Sequence, residues 1–356
     1  MTRLKLVFSI FVVATLSGCA SSVDAALFKD AEKLSSQCSN RLDAPRSGYG
    51  AFGDTKYDVK SLRNAHWRRK DIQVFLPAGK QAKAPVIFFS HAFGAYDWKD
   101  TYPDLMRNLA SRGNIVVFVP YRAFGASNEK RYETLWDGFT RAVDEYGSRM
   151  DLSRVAFVGH SYGGGATPYM AYKGLVEKGW GSAGSYIFIM APWYSFDITQ
   201  KMLSSYPRDT HLVMQVYDED DVNDHRMAID LYNSIELPAS NKTFLEVRSQ
   251  SRNGCAITAS HDTPARNPSL FLKAYGVFRP LDAMNDAVFH GNKSALDIVY
   301  GNGNSGQIEM GDWDDKQPFA PMLRKESPRA DVPQDKFRFS WDDRRQNPRV
   351  GVGEPE

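Results

Sequence analysis

The stretch Val155-Ala-Phe-Val-Gly-His-Ser-Tyr-Gly-Gly-Gly165 decides how the whole chain reads. A short apolar run of the kind that forms a buried strand enters Gly159-His160-Ser161-Tyr162-Gly163, and a small-residue segment suited to open a helix follows. Glycines two before and two after Ser161 leave room for a sharp turn that lifts the hydroxyl clear of a sheet. A helix starting at that point aims its free backbone N–H groups at whatever charge develops beside the serine. The bare spelling Gly-x-Ser-x-Gly is common. Its place after Asp151-Leu-Ser-Arg154 and an apolar strand makes Ser161 a candidate nucleophile. The alternative is a glycine-rich turn whose serine only caps a helix.

Outward from this stretch, apolar runs alternate with helical patterns. Strands are expected over 56–62, 71–76, 86–90, 114–120, 185–190, 211–217 and 242–248, with helices over 102–111, 135–146 and 268–275. Val86-Ile-Phe-Phe-Ser90 is unbroken apolar sequence, as in a strand buried on both faces. The alternation predicts an α/β protein, a doubly wound and mostly parallel sheet with helices on both faces. That domain is expected over 56–300, after a lead-in over 19–55 with a short helix at 25–34. From 301 to 356 Gly, Asn, Asp, Pro and Arg dominate, interrupted by Phe319 and Phe337-Arg-Phe-Ser-Trp341. This extension is expected to wrap the domain surface or to be partly disordered.

Residues 1–18 read as a leader. Arg3 and Lys5 precede an apolar segment too short to span a bilayer comfortably. Its end, Leu16-Ser17-Gly18-Cys19, resembles the lipobox of bacterial lipoproteins, which implies lipidation of Cys19 and a membrane anchor. Ala20 stands where an aspartate would signal inner-membrane retention, so the resemblance implies the outer membrane of a Gram-negative bacterium. An ordinary periplasmic or secreted protein is the other reading. Export permits a disulfide between Cys38 and Cys255, with two free thiols as the alternative.

Net charge is +2 and the basic pairs, Arg68-Arg69 and Arg344-Arg345, are scattered, so no nucleic-acid footprint is present. The acids from Asp218 to Asp224 lack the alternation and glycine of an EF-hand loop, and neither a metal nor another cofactor is expected. Sequence says nothing of oligomeric state.

From about 56 to 275 the chain resembles the α/β-hydrolases, in particular small esterases, dienelactone-hydrolase-like and lipase-like enzymes. The matching motifs are Ser90-His-Ala-Phe-Gly-Ala95, Gly159-His-Ser-Tyr-Gly163 and Tyr217-Asp-Glu-Asp-Asp-Val222. Ala92 stands where the family often has glycine. The family's chain order of serine, acid, histidine is obeyed here. The resemblance implies Asp220 as the acid, with Asp221 as rival. His261 is left as the base once histidines inside other motifs are set aside, with His290 the next candidate. Backbone N–H groups of Phe93 and Tyr162 are expected to form the oxyanion hole. Tyr96, Trp98 and Trp193 near strand ends are candidates for a substrate cleft, although packing is the default role of such rings. The implied activity is hydrolysis of small-molecule, lipid or polymer carboxylic esters. A serine peptidase or amidase is one alternative, and a lipid-anchored binding protein on a hydrolase scaffold is another.

Overall fold

A computed structural model describes residues 42–79, 83–302, 305–330 and 333–352. The leader, Cys19, Cys38 and the helix expected at 25–34 lie outside the described residues. Strands β1 (Tyr57–Leu62), β2 (Ile72–Pro77), β3 (Ala84–Ser90), β4 (Ile115–Phe118), β5 (Met150–His160), β6 (Gly184–Met190), β7 (His211–Tyr217) and β8 (Lys242–Val247) share one sheet. A hairpin of β9 (Gln250–Arg252) and β10 (Cys255–Ile257) stands apart from it, and β11 (Leu323–Arg324) closes its far edge. The order is β1-β2-β4-β3-β5-β6-β7-β8-β11. From β4 to β8 all neighbours are parallel, while β1, β2 and β11 pair antiparallel at the edges.

Both faces of the sheet are covered, and the period of two along the strands sorts their side chains. Ile87 and Phe89 face a core closed by α1 (Pro103–Ser111) and α5 (Arg279–His290). Val86 and Phe88 face a second core closed by α2 (Asn128–Tyr146), α3 (Tyr162–Ala171) and α4 (Arg226–Ser234). In that second core Phe88 sits between Phe139, Phe157 and Trp180, with ring centroids 5.1 to 5.3 Å away. Truncating such a ring to alanine costs about 3–5 kcal/mol. The protein is therefore a doubly wound, largely parallel α/β fold.

Chain direction reverses beside β3. The connection from β3 leads to β4 on one side; the next returns across β3 to β5, and β6, β7 and β8 follow on the other. Loops leaving the carboxyl ends of β3 and β5 thus diverge and leave a crevice, the usual ligand position in such sheets. Ser90–Gly94 and Ser161 lie at those two ends.

Several expected elements are corrected. The helix before β5 begins at Asn128, not near 135, because the Ser127 hydroxyl caps it by accepting from the Lys130 N–H at 3.2 Å. The helix expected over 268–275 begins at Leu270, passes through a π-turn at Ala274–Phe278 and continues as α5 to His290, far beyond 275. Gly291, with φ 75°, ends it in the left-handed conformation. Helix α4 was not foreseen; its polar start among Asp, Asn and His hides the apolar stripe.

The extension packs against the domain wherever it is described. Met310, Trp313, Phe319 and Met322 join the first core, and β11 pairs with β8. Farther on, Phe337 and Trp341 are buried, and the Arg349 guanidinium pairs with buried Asp230 of α4. Cys255 is buried and disulfide-bonded. Among the described residues no helix is long and apolar enough to cross a membrane.

Candidate active site

Ser161 occupies the single-residue turn between β5 and α3, at φ 56° and ψ −122°. A non-glycine residue in that region carries strain on the order of 1–3 kcal/mol, so its surroundings must fix it. Its N–H donates to the Met190 carbonyl at 3.0 Å, and its carbonyl accepts from Gly165 N–H at 3.0 Å and Trp193 N–H at 2.8 Å. The flanking glycines are required by close packing. A Cβ on Gly159 would lie 2.0 Å from Thr167 Oγ1, and one on Gly163 would lie 2.0 Å from the Ser90 carbonyl oxygen.

The structure brings Ser161, His261 and Asp220 together. Ser161 Oγ lies 2.8 Å from His261 Nε2, and His261 Nδ1 lies 2.8 Å from Asp220 Oδ2. Asp220 follows β7 closely and is fully buried; its other oxygen accepts from the Val222 N–H at 2.8 Å and the Asn223 N–H at 3.2 Å. Burial alone would raise the carboxyl pKa. The His261 charge, its hydrogen bond and the Val222 N–H outweigh burial, and the pKa falls below the ordinary value. Burial pulls His261 down, while Asp220 and then Asp262 and Asp221 raise it, with a net rise. Asp221 is exposed and offers only its carbonyl, to the Arg338 N–H. His290 is exposed at the end of α5.

Behind the relay lies a second histidine that sequence reasoning left as part of the turn. His160 Nε2–H donates to the His261 carbonyl at 2.9 Å, which leaves Nδ1 to accept from the Tyr102 hydroxyl at 2.9 Å. Tyr102 in turn accepts from the Ala92 N–H at 2.9 Å. One chain of hydrogen bonds thus ties the Ser90–Gly94 loop to the backbone of His261. Burial pushes His160 down to about 3 and His91 to about 4, so both are neutral. His91 stacks on Tyr121 with centroids 4.1 Å apart and is a packing residue.

With the Ala92 N–H committed, the neighbouring Phe93 amide and the Tyr162 amide at the start of α3 donate to no acceptor among the described residues. Their availability matches the demands of an oxyanion hole. The aromatic candidates separate. Trp193 packs on Tyr162 at 5.5 Å, and half-exposed Phe93 packs on Tyr162 at 6.1 Å and on exposed Phe124 at 5.3 Å. Tyr96 instead meets Trp67 at 5.1 Å, and Trp98 meets Phe75 of β2 at 4.9 Å, as part of the core edge.

Sequence reasoning also missed Asn223. It is buried, with Nδ2 donating to the Ala191 carbonyl at 3.0 Å and reaching 3.5 Å from Ser161 Oγ. No sequence signal marks it among the acids of that loop. Two of those acids are engaged within the protein: Asp218 accepts from the Ser249 N–H at 2.8 Å, and Asp224 pairs with Arg226 at 2.7 Å. Elsewhere, His66, Glu133 and Asp137 place potential metal-binding atoms within 4.8 Å of one another. Lys130 pairs with Glu133 at 2.7 Å, and the adjoining cavity of about 510 Å³ is lined by Arg63, Arg68 and Arg141 together with Asp137 and Asp144. The cavity borders α2, not the crevice at β3 and β5.

No protein-family model matches the chain, and no curated protein matches it as a relative. Fold and geometry therefore define its class: a doubly wound α/β protein with a serine–histidine–aspartate relay at the reversal of its sheet.

Proposed function

We propose that this chain is a serine hydrolase of the α/β-hydrolase kind that cleaves carboxylic esters through an acyl-enzyme. The observation that carries the reading is the relay itself: two links of 2.8 Å each, ending on a serine held at φ 56°. Neutral His261 takes the hydroxyl proton as Ser161 Oγ attacks the ester carbonyl, and Asp220 holds the imidazole tautomer and supports its charge. The Tyr162 and Phe93 N–H groups receive the oxyanion. Protonation by His261 releases the alcohol; water, deprotonated by the same imidazole, then frees the acid and regenerates Ser161. Rings of Phe93 and Trp193 beside Tyr162 support an apolar acyl or polymer ester as substrate. The Leu16-Ser17-Gly18-Cys19 junction supports export and a lipid anchor at Cys19.

A panel of chromogenic esters and peptide amides tests the reading. Ester turnover is expected, and Ser161→Ala should lower it by about ten-thousand-fold or more. Amide turnover alone would make the protein a peptidase or amidase. Silence on both would favour a lipid-anchored binding protein.

A further inference from the structure

We propose that Asn223 is a positioning residue through which residues 336–342 hold Ser161 and Asp220 in register; the inference rests on the hydrolase reading above. Asn223 touches both ends of the relay. Its N–H donates to Asp220 Oδ1 at 3.2 Å, while its side-chain Nδ2 donates to the Ala191 carbonyl at 3.0 Å and lies 3.5 Å from Ser161 Oγ. Ala191 begins the turn whose Trp193 N–H donates to the Ser161 carbonyl at 2.8 Å. One asparagine therefore joins the loop after β7 to the turn after β6 and to the nucleophile.

The backbone of Asn223 is itself held from outside. It forms a parallel bridge with Phe339. Around that bridge, Arg338 N–H donates to the Asp221 carbonyl and Phe339 N–H to the Val222 carbonyl, both at 2.8 Å. Asp224 N–H donates to the Phe339 carbonyl at 3.1 Å, and Trp341 N–H donates to Asp224 Oδ2 at 2.8 Å. Every residue from 221 to 224 is thus bonded or bridged to the strap. Residues 336–342 thus lie as a strap along the loop that carries Asp220, joined to it by one isolated bridge at Phe339.

The residue type argues for a role at the site beyond filling space. Asn223 Oδ1 is buried with no hydrogen-bond partner among the described residues, which works against stability. Alanine would remove that unmet acceptor but leave the Ala191 carbonyl without its donor. Aspartate would keep the shape and set a second carboxylate beside Asp220. Only a neutral side chain with a donor at that reach serves both Ala191 and Ser161.

The test uses the full chain with Asn223→Ala, Asn223→Asp, Phe339→Pro and Arg338→Ala. Proline at 339 removes the N–H that pairs with Val222, whereas Arg338→Ala keeps the backbone pairing and trims an exposed side chain. Ester kinetics are read beside the rate at which a fluorophosphonate labels Ser161; there Oγ displaces fluoride from phosphorus and His261 takes the hydroxyl proton. Asn223→Ala, Asn223→Asp and Phe339→Pro should lose about 10- to 100-fold in kcat and in labelling rate, with KM within about twofold. Melting of Asn223→Ala should be little changed, and Arg338→Ala should behave as the parent. Wild-type labelling in both Asn223 variants would overturn the role of Asn223. Full rates in a folded Phe339→Pro would overturn the role of the strap, and losses that only track a lowered melting point would reduce both to structural support. If Asn223→Ala does not fold, the isosteric Asn223→Asp decides. A parent protein that is never labelled at Ser161 would sink the hydrolase reading itself, a different failure from equal labelling of parent and variants.

Discussion

Asp220 keeps its charge in a fully buried place because His261 and the Val222 and Asn223 N–H groups converge on its two oxygens. Asp221, one residue on, faces solvent. Asp220→Asn should therefore lower turnover towards the about ten-thousand-fold loss known when such a triad loses its orienting aspartate. Asp221→Asn should stay within about twofold, as for most surface changes. Steady-state kinetics with a melt of each variant checks the pair, and a crippled, folded Asp221→Asn beside a normal Asp220→Asn would reverse the assignment. The pH profile gives a second reading. In the proposed mechanism the base is neutral His261, and Asp220 holds its pKa above the ordinary imidazole value, so kcat/KM should rise with pH through that raised pKa. In Asp220→Asn the same limb should move to lower pH. At this scale the serine, the histidine and a choice of two acids were legible in sequence. What separates the acids is that β7 ends at Tyr217, which turns Asp220 inward. Asn223 was not legible, since its partners Ala191, Ser161 and Phe339 are distant in the chain.

The turn between β5 and α3 works because its glycines let neighbouring elements touch. A methyl on Gly163 would meet the Ser90 carbonyl oxygen at 2.0 Å and that of His91 at 2.5 Å, both backbone atoms of the loop after β3. Gly164 is less crowded, with its first contact at 3.0 Å, to Met190 O. Gly163→Ala should lower stability by about 1–3 kcal/mol or more and displace the Ser90–Gly94 loop, costing activity as well. Gly164→Ala should do less on both counts. Thermal melts and ester assays of the two variants test this, and equal effects would contradict the packing argument. The strands were the easiest elements to see: β7 was expected over the residues it occupies, because Leu212-Val-Met214 and Val216-Tyr217, split only by Gln215, mark a strand buried on both faces. Helices were harder. The first turn of α2, Asn128–Arg131, is polar and lies outside the core, and the start of α2 is set by one Ser127 hydroxyl. The π-turn before α5 breaks the 3.6-residue period that would have extended the helix.

Across the whole molecule, His91 and His160 are buried and neutral, with pKa values of about 4 and about 3 against an ordinary 6.5. Between those values the unfolded chain binds protons that the folded chain refuses. Their contribution is thus complete above about pH 6.5 and is lost as pH falls, on the order of 3–5 kcal/mol each by about pH 3–4. Burial shifts His211 and His225 down as well, while His261, Asp230 and Asp282 are shifted up and work in the opposite direction. Urea midpoints should fall steadily from pH 7.5 to pH 4.5; constant midpoints would mean the two histidines reach solvent or a counter-charge. Finally, the strap on the Asp220 loop has a meaning in time. Trp341 N–H bonds to Asp224 across 117 residues of sequence. Synthesis proceeds at about 5–20 residues per second, so the loop leaves the ribosome roughly 6 to 23 seconds before its strap. Through that interval the strands around Ser161 can already have paired while the aspartate's loop has no strap to hold it. On the proposed reading, a nascent chain at that stage is folded ahead of its chemistry, and its competence arrives as a late event, separate from the collapse of the sheet.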